Sequence, residues 1–169
     1  SVTSVSITRN NLESAAQDKL YVVANNLASY CKENEITAIN ASDYYDYLDS
    51  LKDQNIEMAI ITEGAPCATS IKNANDYRIR EITFSKDILA DTQALVGGYY
   101  EEDVMIDGNS YLTYSMPIEM NGEITGIAFA GQLTELVTGA TNSIIVTIVC
   151  VAVVLLLVFE LIVLFFSKT

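Results

Sequence analysis

The chain has 169 residues, of which 22 are acidic, 9 basic and none histidine, for a net charge of −13. That balance excludes the basic surface that nucleic acid or anionic lipid headgroups require. The missing histidines remove histidine metal sites and every nucleophile that a histidine would activate. Half of the residues are hydrophobic, enough for one cored domain of about 140 residues ahead of an apolar C-terminal run.

In chain order, Ser4 to about Glu33 is predicted as one long helix. Leu12, Ala16, Leu20, Val23, Leu27 and Tyr30 recur at spacings of three and four, and Arg9, Asn10, Glu13, Asp18, Lys19 and Asn26 fall off that stripe. It reads either as the continuation of an upstream membrane helix or as an ordinary surface helix. Ser42 is expected to cap a second helix with Asp43 and Asp46 in its first turn and Tyr44, Tyr47, Leu48 and Leu51 on one face. Ile56 to Thr62 reads as a buried strand, Glu63 to Cys67 as a turn, Ala68 to Ile71 as a short strand and Lys72 to Asp76 as a loop. Arg78 to Phe84 alternates like an antiparallel strand. Ser85 is expected to cap a third helix that carries Ile88, Leu89, Leu95 and Val96 and ends at Gly97.

From Tyr99 the period becomes two, with strands over Asp103 to Asp107, Ser110 to Met120 and Glu123 to Gly131. Asn121-Gly122 fixes the last two as an antiparallel hairpin, because both residues of such a turn need positive φ. Gly126 and Gly131 predict a bulge or a close backbone approach. Leu133 to Ala140 leaves no room for a flexible linker before Ile144 to Phe166, where only Thr147 and Glu160 are plainly polar. At about 1.5 Å per residue such a run crosses a hydrocarbon core of about 30 Å, so it is predicted as a transmembrane helix. All but one of the acidic and all but one of the basic residues precede it and Lys168 follows it. This places the first part outside the cell and Thr169 at the cytoplasmic edge. Glu160 reads either as an intramembrane functional carboxyl or as an acid that lies near the inner interface or is neutralised by protonation. Beginning at Ser1 and stopping at Thr169, the chain is expected to be the sensor portion of a longer protein. The boundaries expected are 1–141 outside (1–34 long helix, 42–131 sheet and helices, 132–141 connector), 142–166 in the membrane and 167–169 entering the cytoplasm.

Cys31 and Cys67 could pair in an oxidising space or remain buried thiols, and Cys150 lies in the span. Glu101-Glu102-Asp103 is the densest acidic cluster and reads as a solvated loop, with no spaced D-x-D-x-D-G pattern for calcium. No catalytic residue, metal or cofactor is expected.

The segment from Thr62 to Gly131 resembles the extracellular single-Cache sensor domain of bacterial methyl-accepting chemotaxis receptors and sensor kinases. The residues that carry the resemblance are Ala68-Thr69-Ser70-Ile71, Arg78 after a polar turn, the Ser85 segment ending in glycine, Gly108 with Tyr111, Pro117-Ile118, and Asn121-Gly122-Glu123 with Gly126 and Gly131. The resemblance implies an α+β fold with a PAS-like antiparallel sheet behind a long N-terminal helix, a homodimer, two membrane spans and a cytoplasmic HAMP and signalling rod. Pro66-Cys67 stands where members often have a basic residue, and Glu81-Ile82 where they have Gly-Thr, so the ligand class does not carry over. A chemoreceptor ectodomain is the expected function; the same sensor on a histidine kinase or cyclic-dinucleotide enzyme, or a surface adhesin, are the alternatives.

A small organic acid or amino acid is the expected ligand. Arg78 is the first candidate contact, since its planar fork suits a carboxylate, against a surface arginine balancing Glu81 or Asp76. Tyr111 and Tyr114 differ in parity, so one of them should line the pocket. Thr69 is the fourth candidate. Membrane lipid and a second copy are the other partners expected, and nucleic acid is not.

Overall fold

A computed structural model describes residues 2–168; the side chains of residues 2–5, 8, 9 and 140–145 are not described. The expectations placed on Thr169 and on the side chains of Arg9 and Ile144 therefore lie outside what is described.

The long helix α1 runs Val2–Glu33. Its apolar stripe is inward as the spacing requires: Ala16, Leu20 and Leu27 are buried, joined by Ala24 and Cys31. Ile36 follows the helix into the same core, its amide donating to the Cys31 carbonyl. Next come a short 3-10 turn at Ala41–Tyr44 and the helix α2, Tyr45–Asp49. Ser42 lies inside the 3-10 turn and does not cap. The residue ahead of the turn is Asn40, whose side-chain oxygen is engaged by the Thr37 amide. The tyrosine face nonetheless packs as expected, with Leu48 buried and Tyr44, Tyr47 and Leu51 against it.

Five antiparallel strands form one sheet: β1 Glu57–Ile61, β2 Ala68–Thr69, β3 Tyr99–Ile106, β4 Asn109–Met120 and β5 Glu123–Leu133, in the order β2-β1-β5-β4-β3. The Asn121-Gly122 turn has φ of 54° and 82°, the doubly positive geometry of the tightest hairpins. β3 begins four residues earlier than expected, because Glu101-Glu102 masks the alternation and a bulge between Glu101 and Val104 breaks it. A second bulge lies where Ile118 pairs with Gly126 and Glu119 with Ile124. At Gly126 an added Cβ would lie 2.7 Å from the Ile61 carbonyl oxygen, so β1 and β5 reach this spacing only with glycine there.

Alternation divides the sheet into two faces. Leu112, Tyr114, Met116, Ala128 and Ala130 face α1, and Ala59, Ile61, Val104, Tyr111, Ile127 and Phe129 face the segment 62–98. That segment departs most from the sequence reading. Arg78 to Phe84 is no strand: Arg78 makes one isolated bridge with Lys72, and beyond Arg80 the chain lies over the sheet face, so Ile82 and Phe84 plug into the core while the backbone has no neighbouring strand to pair with. The helix expected from Ser85 is replaced by turns and a 3-10 segment, Thr92–Leu95. The carboxylates of Asp87 and Asp91 accept the amides of Ala90 and Ala94, giving the backbone a turn in place of helical bonds.

The helix α3, Thr134–Ser167, starts on the residue after β5 with no linker. Its part Val146–Ser167 has a mean hydropathy of 3.3 and none of it is buried, so by length and composition it could cross a membrane. The three cysteines are free thiols, and burial pushes those of Cys31 and Cys67 up to about 12 and about 11.

Candidate functional site

The face of the sheet beneath segment 62–98 carries two adjoining clefts at the end of β5 remote from α3. One, of about 310 Å³, has a floor of Ile61, Ile82, Ile88, Leu89 and Ile127 with Phe84 beside it, and a rim of Glu81, Thr83, Lys86 and Asp87. The other, of about 410 Å³, shares Ile61, Glu81, Ile82 and Leu89 and adds Thr62, the turn at Gly64 to Cys67, and Arg80. The common floor makes them one groove: aliphatic below, with two cations and two carboxylates along its edge. Such volumes suit a small ligand, and the mixed rim supplies the few polar groups that orient one.

The walls are anchored on both sides. Ser85 donates its amide to the Glu101 carboxylate at 3.0 Å, fastening the groove segment to β3. Cys67 donates its amide to the Arg80 carbonyl at 2.9 Å, fastening it to the turn after β1. Beneath the segment, Ser115 is fully buried on the same face of β4 as Tyr111, paired with Phe129 and with Tyr99, and its hydroxyl has no hydrogen-bond partner among the described residues. Phe84, beside the groove, packs on Phe129 with ring centroids 6.1 Å apart.

The four residues singled out from sequence are placed differently. Arg78 lines neither cleft. Its guanidinium donates to both Asp49 oxygens at 2.8 and 2.7 Å and to the Thr69 carbonyl at 2.9 Å, and lies 4.0 Å over the Tyr45 ring. Its carboxylate partner is therefore Asp49, and not Glu81 or Asp76. The hydrogen bond from Arg78 holds the Asp49 carboxyl below its usual range, against an opposing effect of burial. Thr69 is buried facing the groove side, and its hydroxyl donates to the Met58 carbonyl and accepts from the Ile71 amide. Tyr111 and Tyr114 point to opposite faces as their parity requires: Tyr111 packs beneath segment 62–98, and Tyr114 meets Tyr21 of α1 edge-on at 5.3 Å. Burial raises the phenol pKa of both. Arg80 ends the stretch from Thr69 in which the sequence places polar pocket candidates; Glu81, Lys86 and Asp87 lie beyond it, because a strand-then-helix reading of 78–97 puts them on a solvated face. The signal available was the alternation of acid and base around Ile82 and Phe84.

The search of curated proteins found no match. Among solved structures the chain is similar to the ligand-binding domain of the Pseudomonas aeruginosa PAO1 amino acid chemoreceptor PctC in complex with GABA, at 17% identity and a TM-score of 0.54, covering 82% of this chain and 66% of that one. It is similar also to the extracellular domain of the histidine kinase mmHK1S-Z2, at 19% identity and a TM-score of 0.56, over 79% of this chain and 60% of that one. A third is the ligand-binding domain of the Campylobacter jejuni chemoreceptor Tlp3 in complex with L-valine, at 14% and 0.55, over 81% and 60%. At these identities the likeness is one of fold, and this chain spans less than two thirds of each of those domains. A family profile described as single cache domain 3 matches residues 37–144, more than half of the sequence; with its antiparallel sheet behind a long helix, this chain belongs to the single Cache domain family.

Proposed function

We propose that residues 1–141 are the extracellular ligand-sensing part of a transmembrane chemoreceptor, that residues 142–166 cross the membrane and that 167–169 enter the cytoplasm. The same sensor joined to a histidine kinase or a cyclic-dinucleotide enzyme is the second reading, favoured by the likeness to a histidine kinase extracellular domain. The observation that carries the sensor reading is the groove itself, set on a sheet whose strand β5 passes directly into the apolar helix α3.

The ligand is a small organic acid or amino acid. Arg80 and Lys86 answer a carboxylate, Glu81 and Asp87 an ammonium, and the aliphatic floor a short apolar body. Arg78 and Thr69 hold the wall in place, and Tyr111 supports the floor. Two copies associate through α1, whose Ile7, Tyr21 and Val22 are exposed.

The test is calorimetry on the chain in lipid nanodiscs against a panel of amino acids and organic acids. A ligand that binds the parent and loses about tenfold or more in affinity on Arg80→Ala or Glu81→Ala supports the groove, a loss of the size expected for one charge-assisted hydrogen bond. Binding unchanged by both substitutions and by Lys86→Ala removes the groove from the function.

A further inference from the structure

Between Val146 and Ser167, α3 has a single acidic or basic residue, Glu160, and it is exposed on the helix surface. In the membrane-crossing reading, on which this inference rests, Glu160 lies seven residues before Ser167, about 10 Å inside the nearer boundary at 1.5 Å per residue. A helical Cα–Cβ bond tilts toward the N-terminus, so the carboxyl leans back toward the bilayer centre and away from that boundary. It is thereby kept in hydrocarbon, where a polar group needs a partner.

The chain does not supply one among the described residues. Lys168 is about 12 Å further along the axis and about 80° round it. The contact of α3 with α1 is at its other end, where Val137 packs toward Ala16 and Leu20. Val137 lies about 140° round from Glu160 on an ideal helix, so α1 is on a different side.

Around Glu160 the sequence forms a seam. Val146, Val149, Val153, Leu156, Glu160, Val163 and Ser167 are spaced alternately by three and four, the period on which two parallel helices wind about each other. Val146 and Val153 share one set of seam positions with Glu160 and Ser167, and Val149, Leu156 and Val163 fill the other; one polar residue on such a seam fixes the register. Two copies in the same membrane orientation bring this carboxyl to the same depth, whereas any unrelated helix would need a donor placed at just that level. We propose that the Glu160 face of α3 docks against the same face of a second copy of this chain, with the two carboxyls hydrogen-bonded to each other inside the bilayer.

The test is disulfide crosslinking of the whole chain in phosphatidylcholine vesicles, in a Cys150→Ser background that also serves as the blank. Single cysteines replace Val149, Val153 or Leu156 on the seam, and Val151, Val158 or Ile162 on the opposite side. Seam positions should crosslink several times faster than opposite ones. Glu160→Leu should slow them by about threefold to twentyfold, the range of one interhelical hydrogen bond in a membrane, and Glu160→Gln should restore most of the rate. Equal crosslinking around the helix, or seam rates indifferent to Glu160→Leu, overturns the proposal while leaving the span intact. Release of the chain from the vesicles by alkaline carbonate instead refutes the span, and the pairing with it.

Discussion

Replacing Arg78 separates two roles that the sequence alone leaves open. In the structure its fork closes on Asp49, its remaining bond goes to the Thr69 carbonyl and its face covers Tyr45, so one side chain ties the loop after β2 to α2. The Arg78 and Asp49 side chains are 23% and 33% exposed, so the pair is discounted for solvent screening. We assign about 1 kcal/mol to its coupling, near the top of the range for exposed pairs because the contact is bidentate. Loss of the stacking on Tyr45 adds about 0.5 to 1 kcal/mol. Arg78→Ala should then cost about 2 kcal/mol in all, or roughly 6 °C in Tm for a domain of this size. The assay is a double-mutant cycle with Asp49→Ala in nanodiscs, followed by near-ultraviolet circular dichroism of the tyrosines. Because the folded Asp49 carboxyl is held below its unfolded value, the coupling is fully present above about pH 4 and is lost as pH falls through the lower, folded value. A coupling below about 0.3 kcal/mol at pH 7, within the usual error of additivity, together with an unchanged Tm for Arg78→Ala, would refute the anchoring role and return the guanidinium to the ligand.

Three further substitutions follow from the packing. Gly131→Ala puts a Cβ 2.9 Å from the Phe129 ring and should destabilise by about 1 to 3 kcal/mol, measured by urea unfolding, as overpacking does. Ser115→Ala removes a buried hydroxyl that has no partner among the described residues and should leave Tm unchanged or raise it slightly; a loss above about 1 kcal/mol would mean that the hydroxyl is satisfied after all. Leu27→Ala empties a fully buried position between α1 and the sheet and should cost about 2 to 5 kcal/mol in the same assay.

The fold was readable wherever one residue period dominated. The α1 stripe, the hairpin at Asn121-Gly122 and the apolar run of α3 each state their structure in local pattern, and tertiary context did not override them. The groove segment was not readable for the opposite reason. Its apolar residues Ile82, Phe84, Ile88 and Leu89 are spaced so that both strand and helix templates accept them, and the choice fell to Asp87 and Asp91, whose side chains take amides that a helix would have bonded internally. Arg78 illustrates the same limit for a site residue. Its chemistry suits a carboxylate, and the carboxylate it meets is Asp49, 29 residues away in sequence.

For the proposed function, the geometry also limits how a signal could travel. The groove meets β5 at Ile127, and α3 begins after Leu133, six residues on, which is about 20 Å along a strand. Over that length β5 is paired with β4 on one side and, through Gly131, with β1 on the other, so it cannot stretch locally and must shift as a body. At its far end the Ser110 hydroxyl lies 3.1 Å from both the Asp103 carboxylate and the Thr134 hydroxyl, joining the β3 bulge to the first residue of α3. A shift of the sheet against α1 therefore reaches α3 at a polar junction where two arrangements could differ by a few hydrogen bonds. A ligand moves that balance only by its difference in affinity for the two arrangements, and about 1.4 kcal/mol of difference gives a tenfold change in their ratio. That is within what one rim contact from Arg80 or Glu81 provides.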